Sequence, residues 1–281
     1  MIPHGEYGYL AVRLIQIWRL MLKKHEPPVY EIHNAQGNAP LLIGCDHAEN
    51  RIPENLLDLG LEPRHLGCHI ACDIGAREVS KLLSDKFDAP LIMAGYSRLV
   101  VDLNRYLDDP SVIAEASDDI PIPGNMSLEE SERQERIDTF FYPYHEKFAE
   151  LALEMKRRHD NPLLLAVHSF TPFFNGHHRP WHYGVLWDEY PGNVGEQLLD
   201  ELRNVDGLVV GDNEPYTAHE PQGYAHVEHG QNNGMQVALI EIRQDLISHP
   251  EGQREAAEIL YRAFGGIMAS HARTENGRAA S

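Results

Sequence analysis

Short apolar runs alternate with longer mixed stretches along most of this chain. Leu41–Cys45, Pro90–Ala94, Leu163–His168, Gly184–Trp187, Leu208–Val210 and Val237–Ile242 are the runs, each bounded by turn-forming residues. They are apolar at consecutive positions, the pattern of strands covered on both faces. Residues 69–85, 127–159, 192–204 and 250–271 read as helices. Ser127 and Glu130 stand at the spacing of an N-terminal capping box, and Pro143 predicts a kink or a break in the long second helix. Strand and helix alternating in this way predict an α/β fold, a single domain with a mixed, mostly parallel sheet and helices on both faces.

The ends read differently. Residues 8–22 are the most apolar stretch near the start, interrupted by Arg13 and Arg19, and no small-residue cleavage site follows. That argues against a signal peptide or a spanning helix and for an amphipathic helix. Pro27-Pro28 then punctuates the chain. The expected organisation is an N-terminal extension over 1–26, a catalytic domain over 27–272 and a small, polar, fraying tail over 273–281.

In sheets of this kind, sites gather beyond the carboxyl ends of the strands. LLIGCDHAENR (41–51) is a buried run that ends in Asp46, His47 and Glu49, and LLLAVHSFTP (163–172) ends its run in His168. Two imidazoles from separate strand ends, with a carboxylate, make the protein part of a catalytic zinc shell; the competing reading is two hydrogen-bonded structural histidines. VALIEIRQDLI (237–247) places Glu241 inside an apolar strand, where a carboxylate is expensive unless paired or used. Such a group is either a base with a raised pKa or the partner of a neighbouring arginine. Arg98 and Arg105 flank another apolar run, and Asn104-Arg105 presents an amide beside a planar fork that suits a carboxylate. The bland alternative is two arginines neutralising acids such as Asp102.

Composition narrows the function. The chain has 281 residues, 24 Lys and Arg against 43 Asp and Glu, and a formal charge of −19. Such a surface repels nucleic acid and anionic membrane, and an anionic substrate needs a local basic pocket. Three cysteines, Cys45, Cys68 and Cys72, do not make a disulfide scaffold and fit a reducing cytoplasm. No G-x-G-x-x-G, Walker A, H-E-x-x-H or G-x-S-x-G motif occurs.

Taken together, CDHAENRIP, HIACDIGAREVSKLL, APLIMAGYSRLVVDLNR, VHSFTP, RPWHYGVLW, GDNEPY and IEIRQDLI resemble the N-formylglutamate amidohydrolase family, over roughly residues 29–262. That family is similar to the zinc carboxypeptidase and aspartoacylase group, whose fold is a mixed sheet between helices. The resemblance implies one zinc ion per chain held by His47 and His168, Glu241 as the base, and Arg98 near the carbonyl that becomes an oxyanion. It implies Asn104 and Arg105 at a substrate carboxylate, with Tyr224 or His229 closing over the substrate. The carboxypeptidase pattern H-x-x-E is not kept, because Asn50 occupies the glutamate position; the third ligand is then Asp73, or Glu49. The implied substrate is a small anionic N-acyl amino acid, N-formyl-L-glutamate, cleaved to formate and glutamate. Alternatives are a zinc hydrolase of another N-acyl amino acid or small peptide, and a non-catalytic metal-binding protein on this fold.

Overall fold

The structure is a computed structural model that describes residues 21–219 and 223–278, with side chains as far as Met268. The amphipathic helix expected over 8–22 lies outside the described residues except for Met21 and Leu22, which pack into the core. Seven strands form the main sheet: β1 (Tyr30–His33), β2 (Leu41–Cys45), β3 (Leu91–Ala94), β4 (Leu163–Phe170), β5 (Tyr183–Leu186), β6 (Val210–Asp212) and β7 (Gln236–Arg243). Their order across the sheet is β1-β3-β2-β4-β7-β5-β6. The central four, β3, β2, β4 and β7, are mutually parallel. Strand β1 joins one edge antiparallel to β3, while β5 pairs antiparallel with β7 and carries β6 parallel beside it. The sheet is therefore mixed and mostly parallel, as the apolar runs predict. No run announces β1, because at the edge it is only partly buried and carries Glu31 and His33.

The longer helices among the described residues are α1 (Ala76–Phe87), α2 (Glu130–Arg136), α3 (Tyr142–Arg158), α4 (Gly195–Arg203) and α5 (Pro250–Arg278), of which α1, α3, α4 and α5 cover the two faces. Side chains alternate across a strand, so one face of the sheet takes Leu41, Ile43, Leu163, Leu165, Val167, Ala238, Ile240 and Ile242. These pack against α1, α4 and α5. The other face takes Leu42, Leu164 and Val237 and packs on Phe148, Leu151 and Met155 of α3. A side chain at Gly44 would come within 2.7 Å of the Phe148 ring, so the glycine is what lets α3 sit close on β2.

Three local expectations are corrected. The helix expected from residue 69 begins only at Ala76, because Gly75 has φ 81° and any Cβ there would come within 2.2 Å of the Ile247 carbonyl oxygen. Residues 69–75 are instead a turn that carries Asp73. The cap of α2 is Glu129, whose backbone N–H donates to Glu132 at 3.1 Å; Ser127 has φ 56° and cannot hold the extended backbone of a cap. The long helix is interrupted by a π-helical turn at Ile137–Phe141, not bent within α3. Pro143 falls in the first turn of α3, where its missing N–H is no loss.

Candidate active site

Along β4 the face towards α3 presents Leu164, Ala166 and His168, and along β7 it presents Val237, Leu239 and Glu241. At the start of these strands α3 covers the face. Towards their carboxyl ends apolar side chains give way to polar ones, and a cavity of about 280 Å³ opens there. Leu186 and Leu239 form its apolar floor with Ala218, and Ala166 packs against them.

Three elements bring ligating groups together in this cavity. β2 runs out at Cys45 and delivers His47, the turn before α1 delivers Asp73, and β4 carries His168. Asp73 Oδ2 lies 2.9 Å from His168 Nδ1 and 3.4 Å from His47 Nδ1. All three groups are buried, and they are the cluster among the described residues that could hold a metal ion. His47 Nδ1 has no hydrogen-bond partner. Its other nitrogen, Nε2, lies 2.7 Å from Asp102 Oδ1, and Asp102 accepts from Arg98 Nε at 3.0 Å and Nη2 at 2.6 Å. Behind His168, Asp46 Oδ2 is 4.0 Å from Nε2, and Asp46 accepts a short hydrogen bond from the Tyr144 hydroxyl of α3.

The donor set fits a divalent cation. Tetrahedral ligands at roughly 2.1 Å from zinc stand about 3.4 Å apart, near the separations found here. Two imidazole nitrogens and one carboxylate oxygen leave a fourth position open, and the carboxylate on the far nitrogen of His47 is the usual support for a ligating histidine. Without a cation, Asp73 governs the charges. Burial works against a charged His168, but the hydrogen bond and charge of Asp73 prevail and push its pKa up to about 9. Burial and Arg98 oppose a charge on His47, and Asp102 and Asp73 outweigh them, so its pKa is raised too. Asp73, despite burial, is held far below the usual carboxylate range by the two histidines.

Glu241 sits in register between His168 on β4 and Gly184 on β5. It is 7% exposed, and its Oε2 has no hydrogen-bond partner. Burial pushes its carboxyl up, to about 7. Arg243 does not pair with it; that guanidinium is turned to Asp245 at 2.8 Å. The side chain therefore meets the requirements of a proton acceptor poised in the cavity.

The family model for N-formylglutamate amidohydrolase matches residues 39–248. The chain belongs to this family. Membership makes it a hydrolase acting on an amide bond. Among solved structures, a gene product of Agrobacterium tumefaciens is similar at 31% identity and a TM-score of 0.83, covering 88% of this chain and 99% of that one. The N-formylglutamate amidohydrolase of Ralstonia eutropha JMP134 shares the fold at 20% identity and a TM-score of 0.68, covering 88% of this chain and all of that one (100%). No curated protein matches the chain.

Most of the residues expected from the amidohydrolase resemblance meet in the cavity. His47, Asp73, Arg98, Asn104, Arg105, His168 and Glu241 all line it. Asn104 Nδ2 is 3.5 Å from His168 Nε2, and its Oδ1 accepts from the Ala225 N–H at 3.1 Å. Arg105 Nη1 donates to the Asn104 carbonyl at 3.2 Å. Glu49 is turned away to Arg51 at 3.1 Å and does not line the cavity. Neither do Tyr224 and His229. The Tyr224 ring packs among Tyr106, Phe141 and His145, and His229 stacks on Phe148 with its Nε2 2.9 Å from His145 Nδ1. The segment before β7 contributes His226 instead, a buried ring with its Nδ1 unsatisfied, its pKa lowered by burial to about 4. Tyr216 and His226 were not singled out from sequence, and Asp102 was named only as an acid for the arginines to neutralise, which is how it pairs with Arg98. The R-L-V-V-D spacing of Arg98 and Asp102 was the one available signal, and it read equally well as simple charge neutralisation.

Proposed function

We propose that this chain cleaves N-formyl-L-glutamate to formate and L-glutamate, with a divalent cation, zinc by its donor set, held by His47, Asp73 and His168. The observation that carries the reading is one cavity in which three ligating atoms converge beside a buried carboxylate, that of Glu241, without a partner on Oε2. When bound, the cation supplies Lewis acidity, which polarises an amide carbonyl and acidifies water.

The side chains supply the rest. Glu241 Oε2 accepts a proton from the attacking water and delivers it to the leaving nitrogen as the C–N bond breaks. Arg98 sets positive charge on the cavity wall beside the carbonyl oxygen, which gains negative charge. Asp102 orients His47 through the 2.7 Å contact and holds Arg98 in place at the same time. Asn104 and Arg105 receive a substrate carboxylate, the amide and the fork acting together. The neutral His226 and the apolar floor of Leu186, Leu239 and Ala218 complete the walls.

The test is formate release by the purified protein from N-formylglutamate, set against N-acetylaspartate and a short glutamyl peptide, with elemental analysis of the same sample. The reading expects N-formylglutamate to be the best of the three, about one zinc per chain, and loss of turnover on chelation with recovery on zinc addition. Faster cleavage of either competitor, or unchanged turnover in a metal-free sample, would overturn it.

A further inference from the structure

A dicarboxylate substrate brings two negative charges into a cavity that already holds Asp73, Asp102 and Glu241, in a protein of charge −19. Asn104 and Arg105 account for one of those charges, and Arg98 is bound to Asp102. A second side-chain cation would balance the other charge, and one stands against two rings of the opposite wall, Phe174 and Tyr216, without itself lining the cavity. Arg179 follows a small hairpin, Phe173–Phe174 with His177–His178, and its backbone N–H donates to the Pro172 carbonyl at 2.8 Å. Its guanidinium lies over the rings of Phe174 at 4.6 Å and Tyr216 at 4.8 Å, and both rings line the cavity. Nη1 donates to the Tyr216 hydroxyl at 3.0 Å. No carboxylate among the described residues pairs with Arg179. Aromatic contacts of this kind hold the planar fork in a fixed attitude, while its remaining N–H groups point out along its edges.

Topology puts the two cations on opposite sides of the metal cluster. Arg105 comes from the loop after β3. Arg179 comes from the segment between β4 and β5, and Tyr216 from the loop after β6. The strands β2, β4 and β7, which carry or lead into His47, His168 and Glu241, lie between them. The hairpin is tied down as well, through the Asn175 N–H to Asp118 Oδ1 at 3.4 Å, and Asp118 in turn pairs with His69 of the cavity wall at 3.3 Å.

We propose that Arg179, set by Phe174 and Tyr216, receives the second carboxylate of the substrate and so selects dicarboxylic N-acyl amino acids over monocarboxylic ones. This rests on the proposed reading of the cavity as an N-acyl amino acid site. Arg179 acts on substrate choice and not on the bond being broken.

The experiment compares kcat/KM for N-formylglutamate and N-formylglutamine in wild type, Arg179→Met and Arg179→Lys. Arg179→Met should lower the value for N-formylglutamate at least about tenfold and leave N-formylglutamine within about twofold, the scale of one lost charged hydrogen bond. Arg179→Lys should fall between, because it keeps the charge and loses the fork. An equal loss on both substrates would make Arg179 a structural prop, and an intact preference would remove it from recognition; either overturns the proposal. A readout without turnover accompanies it: protection by glutarate against heating, with butyrate as the one-carboxylate control. Glutarate protection should disappear in Arg179→Met while that by butyrate is unchanged. If wild type cleaves neither formyl substrate but glutarate protection depends on Arg179, the reaction falls and this inference stands. If wild type cleaves N-formylglutamate and glutarate protection ignores Arg179, the inference falls and the reaction stands. If neither cleavage nor protection is seen, both fall.

Discussion

Glu241 is fixed by its backbone more than by its side chain. β7 pairs on both sides at this position, so the carboxylate is aimed into the cavity and its Oε2 meets no protein donor. On the proposed reading, a group held this way contributes to proton transfer and little to folding. Glu241→Gln should keep its metal, its melting temperature and near-normal substrate affinity, and lose turnover on the order of 10²–10⁴-fold. Because burial raises its carboxyl, the wild-type base is lost on acidification. kcat/KM should therefore fall as pH drops through the neutral range, and that limb should vanish in the Gln variant. A destabilised but active variant would refute the role. Arg105→Lys tests the other end of the substrate: the loss should fall mainly in KM, by about 1.5–3 kcal/mol, and a substrate amidated at that carboxylate should be equally poor for both proteins. His47, His168 and Glu241 were legible in the sequence because each stands at or near the end of a buried run, where the sheet itself fixes its position. Tyr216 and His226 were not, because loop closure places them and no local period marks them; Asp102 was legible as a partner of Arg98 but not as the support of His47.

At the scale of elements, the apolar runs gave the central strands almost residue for residue, since burial on both faces leaves a continuous signal. What the runs could not show is how segments lie on the sheet. Gly184 on β5 has no side chain, and the Glu214 carbonyl passes where a Cβ would come within 2.0 Å of it. That close approach lays the loop after β6 over β5, beside Glu241, and carries Tyr216 to the cavity wall. A glycine inside an apolar run is the only trace of this in the sequence. Gly184→Ala must push backbone aside, because the obstacle is a carbonyl and not the tip of a flexible side chain. We expect a cost of about 1–3 kcal/mol in stability, read from denaturant melts. Folded variant should also show a reduced kcat/KM for N-formylglutamate, because Tyr216 moves with its loop. A variant as stable as wild type would mean the loop is free to shift.

For the molecule as a whole, the cluster of His47, Asp73 and His168 ties stability to pH and, on the proposed reading, to metal. His168 is raised from 6.5 to about 9 in the metal-free protein, and His47 is raised as well. A group with a raised folded-state pKa stabilises fully below its ordinary pKa and loses that contribution as pH rises through the folded value. The metal-free protein should therefore melt at progressively lower temperature between pH 6.5 and pH 9. Asp73 and Asp102 are lowered, so their contribution is present at neutral pH and is lost only in acid. A cation binds the neutral imidazoles, so its uptake must expel the protons that Asp73 favours there. Zinc affinity should rise with pH across this window, and calorimetry in buffers of different ionisation enthalpy should register proton release. The melting temperature of the zinc-loaded protein minus that of the metal-free protein should accordingly widen from pH 6.5 to 9, free zinc at about a hundred times Kd being worth roughly 2.7 kcal/mol. His47→Ala and His168→Ala should each abolish the zinc-induced shift along with turnover. A shift that is independent of pH, or that survives in either variant, would place the cation elsewhere and remove these histidines from its coordination.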